Sequence, residues 1–373
     1  MIGRETLKKF EWPIFVAVLI LSFIGVMTIY SATRSLTGEG QQSFYLKQVF
    51  WLFIGLLCFV SLISFDYRWF IKSAYVLFVI SVILLVAVII AGRIGMGAQR
   101  WISIGPFSFQ PSEIFKICFV LAISRYLADS EHKDTLGLKE LFQMIFAFVA
   151  LPLILILKQP DLGTGLMLLF IFSSMILTVG ARKKLIVVTI IIALVSVPFV
   201  GNIVWSGLKD YQKQRLVAFI DPKADPQGTS YHINQSKITI GSGKIFGKGY
   251  LKGTQGPLRF LPERHTDFIF SAFAEEWGFA GGVVLFLMYL FIILMGFDTA
   301  KKARDPEGRY LALGITYMIS FYFIINVGMT LGVVPVVGVP LPFMSYGGTA
   351  LLSNYIAIGI LINVRMRRFL LFY

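Results

Sequence analysis

Ten apolar runs, each about the 20 residues a helix needs to cross the hydrocarbon of a bilayer, leave this 373-residue chain few folds to choose from. They lie at 13–31, 47–64, 69–91, 111–128, 139–157, 162–180, 184–204, 268–297, 309–332 and 345–366. A backbone in hydrocarbon has to satisfy its own N–H and C=O groups, and runs of this length do so as helices. The spacing predicts an all-α integral membrane protein, a bundle of ten transmembrane helices with residues 1–373 forming a single domain. One long polar loop, 205–267, separates the seventh and eighth helices. Composition agrees, since 14% of residues are charged against about 25% in soluble globular chains.

Lysine and arginine set the orientation. With a cytoplasmic N-terminus, the inner segments hold eighteen of them, while the short outer loops hold only Arg34, Lys47, Arg93, Arg100 and Lys158. Positive charge collects inside in short loops and is discounted in long ones. The reading is a multi-pass protein of the cytoplasmic membrane, with both termini cytoplasmic and 205–267 an extracytoplasmic loop. The first apolar run is too long for the core of a cleaved leader and reads as a retained anchor. Cys58 and Cys118 fall inside predicted helices and read as packing residues rather than a disulfide framework. The net charge of +14 is accounted for mostly by orientation, and no basic tail or zinc spacing points to nucleic acid.

The densest polar cluster, Glu263, Arg264, His265, Thr266 and Asp267, sits directly before the eighth helix. Thr266 is placed to cap that helix, with Asp267 as its first-turn acid. Glu275 and Glu276 follow inside the apolar run, about 12 Å deeper at 1.5 Å per residue. Charge at bilayer depth is costly and marks functional paths, while capping and interface anchoring are the plainer account of the same residues.

The long loop holds ten lysines and arginines, Arg215, Lys244 and Lys248 among them, against five acids. Gly241-Ser-Gly-Lys-Ile-Phe-Gly-Lys-Gly-Tyr250 is not a nucleotide-binding P-loop, because no G-x-x-x-x-G-K-[ST] register fits. No nucleotide is expected. Glycine turns with lysines can cradle a phosphate, and they also suit a solvated loop over anionic headgroups. Two other outer edges carry charge. Gln110-Pro-Ser-Glu-Ile-Phe-Lys116 opens the fourth helix, with Pro111 suited to its first position and Glu113 three residues from Lys116 on one face. Lys158-Gln-Pro-Asp-Leu-Gly-Thr-Gly165 opens the sixth, where Asp161 reads best as a helix-dipole acid. The preceding loop presents Arg100 and Trp101. Cations, a few acids and apolar walls on one membrane face suit an amphiphile with an anionic head, and a lipid-linked pyrophosphate fits that description.

Five of these stretches, in order along the whole chain, resemble the SEDS family, the RodA, FtsW and SpoVE group of cell-wall polymerases. They are Gln99-Arg-Trp-Ile102, Gln110-Pro-Ser-Glu113 with Lys116, Lys158-Gln-Pro-Asp-Leu-Gly-Thr-Gly165, Pro262-Glu-Arg-His-Thr-Asp-Phe268 and Gly338-Val-Pro-Leu-Pro-Phe-Met-Ser-Tyr-Gly-Gly348. Arg264 and the Gly-Lys-Gly series look more like RodA than FtsW. The resemblance implies a peptidoglycan glycosyltransferase that polymerises lipid II into glycan strands, with inversion, on the outer face of the membrane. The family's essential aspartate falls on Asp267, as general base or as ligand of a divalent cation, Mg or Mn. Its Glu and Lys fall on Glu113 and Lys116, and its Arg-Trp pair on Arg100 and Trp101. Lys158, Asp161, Arg215, Lys244, Lys248, Arg264 and His265 complete the expected substrate site. The implied partners are the growing glycan strand, a class B penicillin-binding protein with transpeptidase activity, and the elongation machinery. A lipid II flippase is the competing reading. It would spread polar groups along a path between leaflets, whereas these crowd the outer edge apart from Glu275 and Glu276.

Overall fold

The computed structural model describes residues 10–34, 39–95, 98–104, 107–130, 137–179, 210–221, 229–254 and 264–368. Helices α1 (Trp12–Thr33) and α2 (Glu39–Ser64) open the chain. Asp66 caps the short α3 (Tyr67–Lys72) by accepting from Arg68 N at 3.0 Å, and α4 (Ala74–Ala91) follows. The stretch before the fourth predicted helix, read as a loop, is a small antiparallel sheet of β1 (Arg93–Gly95), β2 (Ala98–Ile104) and β3 (Phe107–Phe109). β2 pairs Trp101 with Arg93 and Ile102 with Phe109, so Arg100 and Trp101 sit on a paired strand rather than in a loose connection.

Pro111 takes the first position of α5 (Pro111–Asp129), where its missing N–H would have had no helical partner. Next come α6 (Leu138–Met144), a π-helical stretch over Ile145–Ala150, and α7 (Leu151–Lys158), continuous as one segment. Asp161 caps α8 (Leu162–Thr178), accepting from Thr164 N at 3.1 Å. The described parts of 205–267 are not a bare loop: they include α9 (Asp210–Ile220) and α10 (Thr229–Ser242). The chain then forms α11 (Ile269–Lys301), α12 (Pro306–Thr330) and α13 (Gly348–Met366).

Seven described helical segments are long and apolar enough to cross a membrane. The runs at 111–128 and 162–180 correspond to α5, which carries more charge, and to α8, which is shorter. The run at 184–204 lies outside the described residues. α12 packs against α5, α8 and α11, and α13 lies along α2, so α12 and α13 are the most buried of the candidate spans. Glycines permit the close crossings: a side chain on Gly314 would strike Val120 of α5, and one on Gly296 would strike Thr316 of α12.

At the end expected to face the cytoplasm, Asp305 caps α12 by accepting from Gly308 N at 2.7 Å. The same carboxylate accepts from Tyr67 Oη at 2.7 Å and from Arg68 at 2.6 Å, tying α3 to α12.

α11 is broken at Gly278, whose φ of 66° and ψ of −165° interrupt the helix. The Gly-Lys segment lies across the break. Lys248 N and Gly249 N donate to the carbonyls of Glu275 and Glu276, while Phe279 N and Ala280 N donate to those of Lys244 and Ile245, all at 2.9–3.0 Å. Each strand of this contact supplies the bonds the other lacks, which hydrocarbon would otherwise make costly. Close approach also requires Gly247 (φ +77°), because a Cβ there would collide with the Glu276 carbonyl.

Candidate active site

The site is a cavity of about 440 Å³ walled by β2, α5, α8, α9, α12, the turn before α11 and the loop before α13. Asp267, Arg215, His265, Arg100, Trp101, Glu113, Lys116 and Asp161 all line it. They are drawn from five separate stretches of the chain, so the bundle brings them together rather than any local motif.

Asp267 lies in a turn over 264–268, not within a helix. Phe268 occupies the cap position of α11 and makes no side-chain cap bond, so Thr266 is not the cap that the sequence pattern predicts. The turn is held instead by its carbonyls. His265 O accepts from Tyr346 N at 2.8 Å, Thr266 O from Ser345 Oγ at 2.7 Å, and Asp267 O from Asn326 Nδ2 at 3.0 Å. The His265 ring packs against Phe44 and Tyr346, with centroids 4.7 and 5.7 Å away. Gly338 forms the floor, with φ +73°: a Cβ there would lie 3.3 Å from Asp267 Oδ2 and 3.6 Å from an Arg215 guanidinium nitrogen. The carboxylate and the guanidinium therefore converge on one spot.

Two further charge pairs stand behind it. Lys116 Nζ meets Glu113 Oε1 at 2.7 Å, one turn apart on α5, and both side chains are buried. Tyr322 of α12 joins them, accepting from Lys116 and donating to Glu113 Oε2, the latter at 2.9 Å. Ser353 Oγ also donates to Glu113, at 3.3 Å. On the other wall Arg100 lies 3.7 Å from Asp161 Oδ1 and donates to the Gln159 and Pro160 carbonyls. Asp161, 2% exposed, also accepts from Thr164 N and Oγ1 and from Gln110 Nε2. It is both the dipole acid of α8 and the anchor of a cavity cation.

Several expected site residues lie elsewhere. Lys248 pairs with Glu275 at 2.6 Å across the break in α11. Lys244 lies in the same segment and off the cavity wall. Buried Glu275 holds Lys248 at the helix contact and also accepts from Thr254 N and Oγ1 at 2.9 and 3.0 Å, while Lys244 joins through its carbonyl. Glu276 accepts from Leu251 N and Ser31 Oγ. Lys158 is exposed at the end of α7, and Arg264 is buried outside the lining. Glu263 lies outside the described residues. Sequence reasoning missed Tyr322 and Asn326, and it quoted Gln110 and Gly338 in motifs without giving either a place in the site. The polar Asn326 in the apolar run 321–331 was a signal for that residue.

The FtsW/RodA/SpoVE cell cycle protein model matches residues 11–369. The peptidoglycan glycosyltransferase MrdB of Escherichia coli (strain K12) is 37% identical, with 97% of this chain and 96% of that protein covered. The peptidoglycan glycosyltransferase RodA of Treponema pallidum (strain Nichols) is 33% identical over 97% of this chain and 98% of its own length. Among solved structures, a chain from a peptidoglycan synthase complex, described as coordinating polymerization and crosslinking, superposes with a TM-score of 0.80. It shares 29% identity, over 96% of this chain and 98% of that one.

Proposed function

The chain belongs to the FtsW/RodA/SpoVE family, and from that membership together with the cavity we infer that it is a peptidoglycan glycosyltransferase of the RodA type. It polymerises lipid II during cell elongation. The observation that carries the chemistry is the convergence of Asp267 and Arg215 over Gly338, in a cavity backed by the buried Glu113–Lys116 pair and by partly exposed Arg100 beside buried Asp161. Asp267 takes the proton from the acceptor sugar hydroxyl as it attacks. The donor is α-linked and the new bond is β, so attack is in line with inversion. The undecaprenyl pyrophosphate leaves toward Arg215 and Lys116, whose charges offset the developing negative charge.

A divalent cation, Mg or Mn, would have Asp267 as its protein carboxylate. Glu113 and Asp161 are already bonded to cations and N–H groups. The described residues hold no group of three metal-ligating side chains. The remaining ligands would have to be diphosphate oxygens and water, which fits an ion that arrives with the substrate and supplies charge neutralisation.

The site faces outward and both termini lie in the cytoplasm. An impermeant maleimide should label Gln214→Cys on α9 from outside and Lys301→Cys only after the membrane is opened; reversed labelling would overturn this placement. The partner is a class B penicillin-binding protein, as the structural neighbour from a synthase complex supports. Its single membrane helix packs on the exposed apolar faces of α11 and α12, where Phe279, Phe286 and Ile324 stand out.

The deciding experiment is glycan synthesis from lipid II by the purified complex in detergent. Asp267→Asn keeps size and turn geometry, since the turn is held through backbone carbonyls. It removes the base, a loss of roughly 10²- to 10⁴-fold, and should leave no detectable polymer while the complex still co-purifies. Near-normal synthesis would eliminate Asp267 as the catalytic carboxylate.

A further inference from the structure

We infer that Asn326 is the positioning residue of the reaction: its single amide nitrogen fixes the Asp267 turn and the cavity floor in one register. The inference rests on the reading of Asp267 as the base. Asn326 lies on α12 with 0% exposure. Its Nδ2 donates to Asp267 O at 3.0 Å and to Val339 O at 2.8 Å. The two hydrogens of one planar group thus hold the backbone that carries the carboxylate and the backbone next to Gly338, against which that carboxylate lies.

The amide oxygen, Oδ1, is buried and has no hydrogen-bond partner among the described residues. Buried acceptors are normally satisfied, so the side chain is oriented for its donors at the cost of its acceptor. An apolar side chain of similar size would avoid that unmet acceptor, and nothing else in the contact needs an amide. The turn itself has no helix or strand to stiffen it. Its other tethers, Ser345 Oγ on Thr266 O and Tyr346 N on His265 O, come from the loop before α13. Asn326 brings a tether from a helix to the reacting residue itself. A shift of about 1 Å in a catalytic group can cost on the order of 100-fold in rate. Loss of the clamp should therefore act on the chemical step and spare the cations that bind the diphosphate.

The test uses the full chain co-purified with its transpeptidase partner and compares Asn326→Leu, Asn326→Asp and Asp267→Asn for kcat and KM with lipid II. Leu fills the space but donates nothing. A buried, protonated Asp can donate one hydrogen where Asn donates two. The expected order of kcat is wild type, then Asn326→Asp, then Asn326→Leu at least about ten-fold down, with KM within two-fold throughout. A residue that only stabilised the fold would lower yield and melting temperature and leave kcat per folded complex unchanged. A folded Asn326→Leu complex with kcat within two-fold of wild type overturns the inference. If Asn326→Leu does not fold, Asn326→Asp decides, and kcat within two-fold of wild type again overturns it. Activity retained by Asp267→Asn would instead remove the catalytic reading, so the two failures are distinguishable.

Discussion

Gly338 lies directly beneath Asp267, so close that a methyl group on it would sit 3.3 Å from the carboxylate. Its φ of +73° is one that side chains beyond glycine rarely adopt. Gly338→Ala should therefore strain the loop by about 1–2 kcal/mol and displace either Asp267 or Arg215. We expect polymerisation to fall at least ten-fold while the complex still assembles. Wild-type rates would mean that the floor tolerates a methyl and that the convergence above it is loose.

The buried triad of Lys116, Glu113 and Tyr322 predicts unequal effects from its members. Lys116→Met leaves Glu113 buried without its cation, a loss of about 3–5 kcal/mol, so activity and thermal stability should fall together. Tyr322→Phe removes one bridging hydroxyl, about 1–2 kcal/mol, and should keep the ion pair. Unfolding in detergent followed by intrinsic fluorescence reads both. Equal destabilisation by the two would argue that the phenol rather than the charge pair organises this wall.

Lys248 and Glu275 test whether the Gly-Lys segment serves the helix or the substrate. Each single change, Lys248→Met or Glu275→Gln, should lower stability, and the double mutant should lose less than their sum, with a coupling of about 1–2 kcal/mol. Glycan synthesis should stay within a few-fold of wild type, because the pair lies off the cavity. Abolished synthesis in a stable Glu275→Gln protein would show instead that the pair serves the substrate.

Asp305 sets an acid limit on the α3–α12 latch. Burial opposes its ionisation, yet bonds from Tyr67, Gly308 N and Arg68 hold its carboxyl below the ordinary 3.8. A depressed native pKa stabilises the fold above that value, and the contribution drains away as pH falls below about 3.8 through the native pKa. The Tyr67 phenol, raised by burial and by Asp305, stays protonated past its ordinary 10.0. Asp305→Asn should lower the melting temperature at pH 7 and flatten its decline in acid. An unchanged acid slope would assign that decline to other carboxylates.

Much of the bundle was legible because apolar run length and helix caps are local signals. Asp161, Pro111 and the i, i+3 pair Glu113–Lys116 all occupy the positions their neighbours in sequence imply. What was not legible depends on partners far along the chain. Lysines 244 and 248 look like phosphate ligands until Glu275 and the break at Gly278 are seen to receive their segment. Thr266 has the composition of a cap, but Ser345 takes its carbonyl and the helix starts later. Arg100 and Trp101 gave no strand signal over so short a sheet, Tyr322 passes for an ordinary residue of an apolar helix, and the motif that Gly338 opens does not say which residue it lies under.

The break in α11 has a consequence for biosynthesis. Its unpaired carbonyls and N–H groups are tolerable in the bilayer only once residues 244–249 lie against them, since each unmet group in hydrocarbon costs several kcal/mol. The segment precedes α11 in the chain, so it is synthesised before the helix it will mend. During insertion α11 should enter as an unbroken rod and kink only when the waiting segment docks. The order of translation thus supplies the splint before the fracture, and exchanging the two elements by circular permutation would leave α11 waiting in lipid unkinked until the segment follows it.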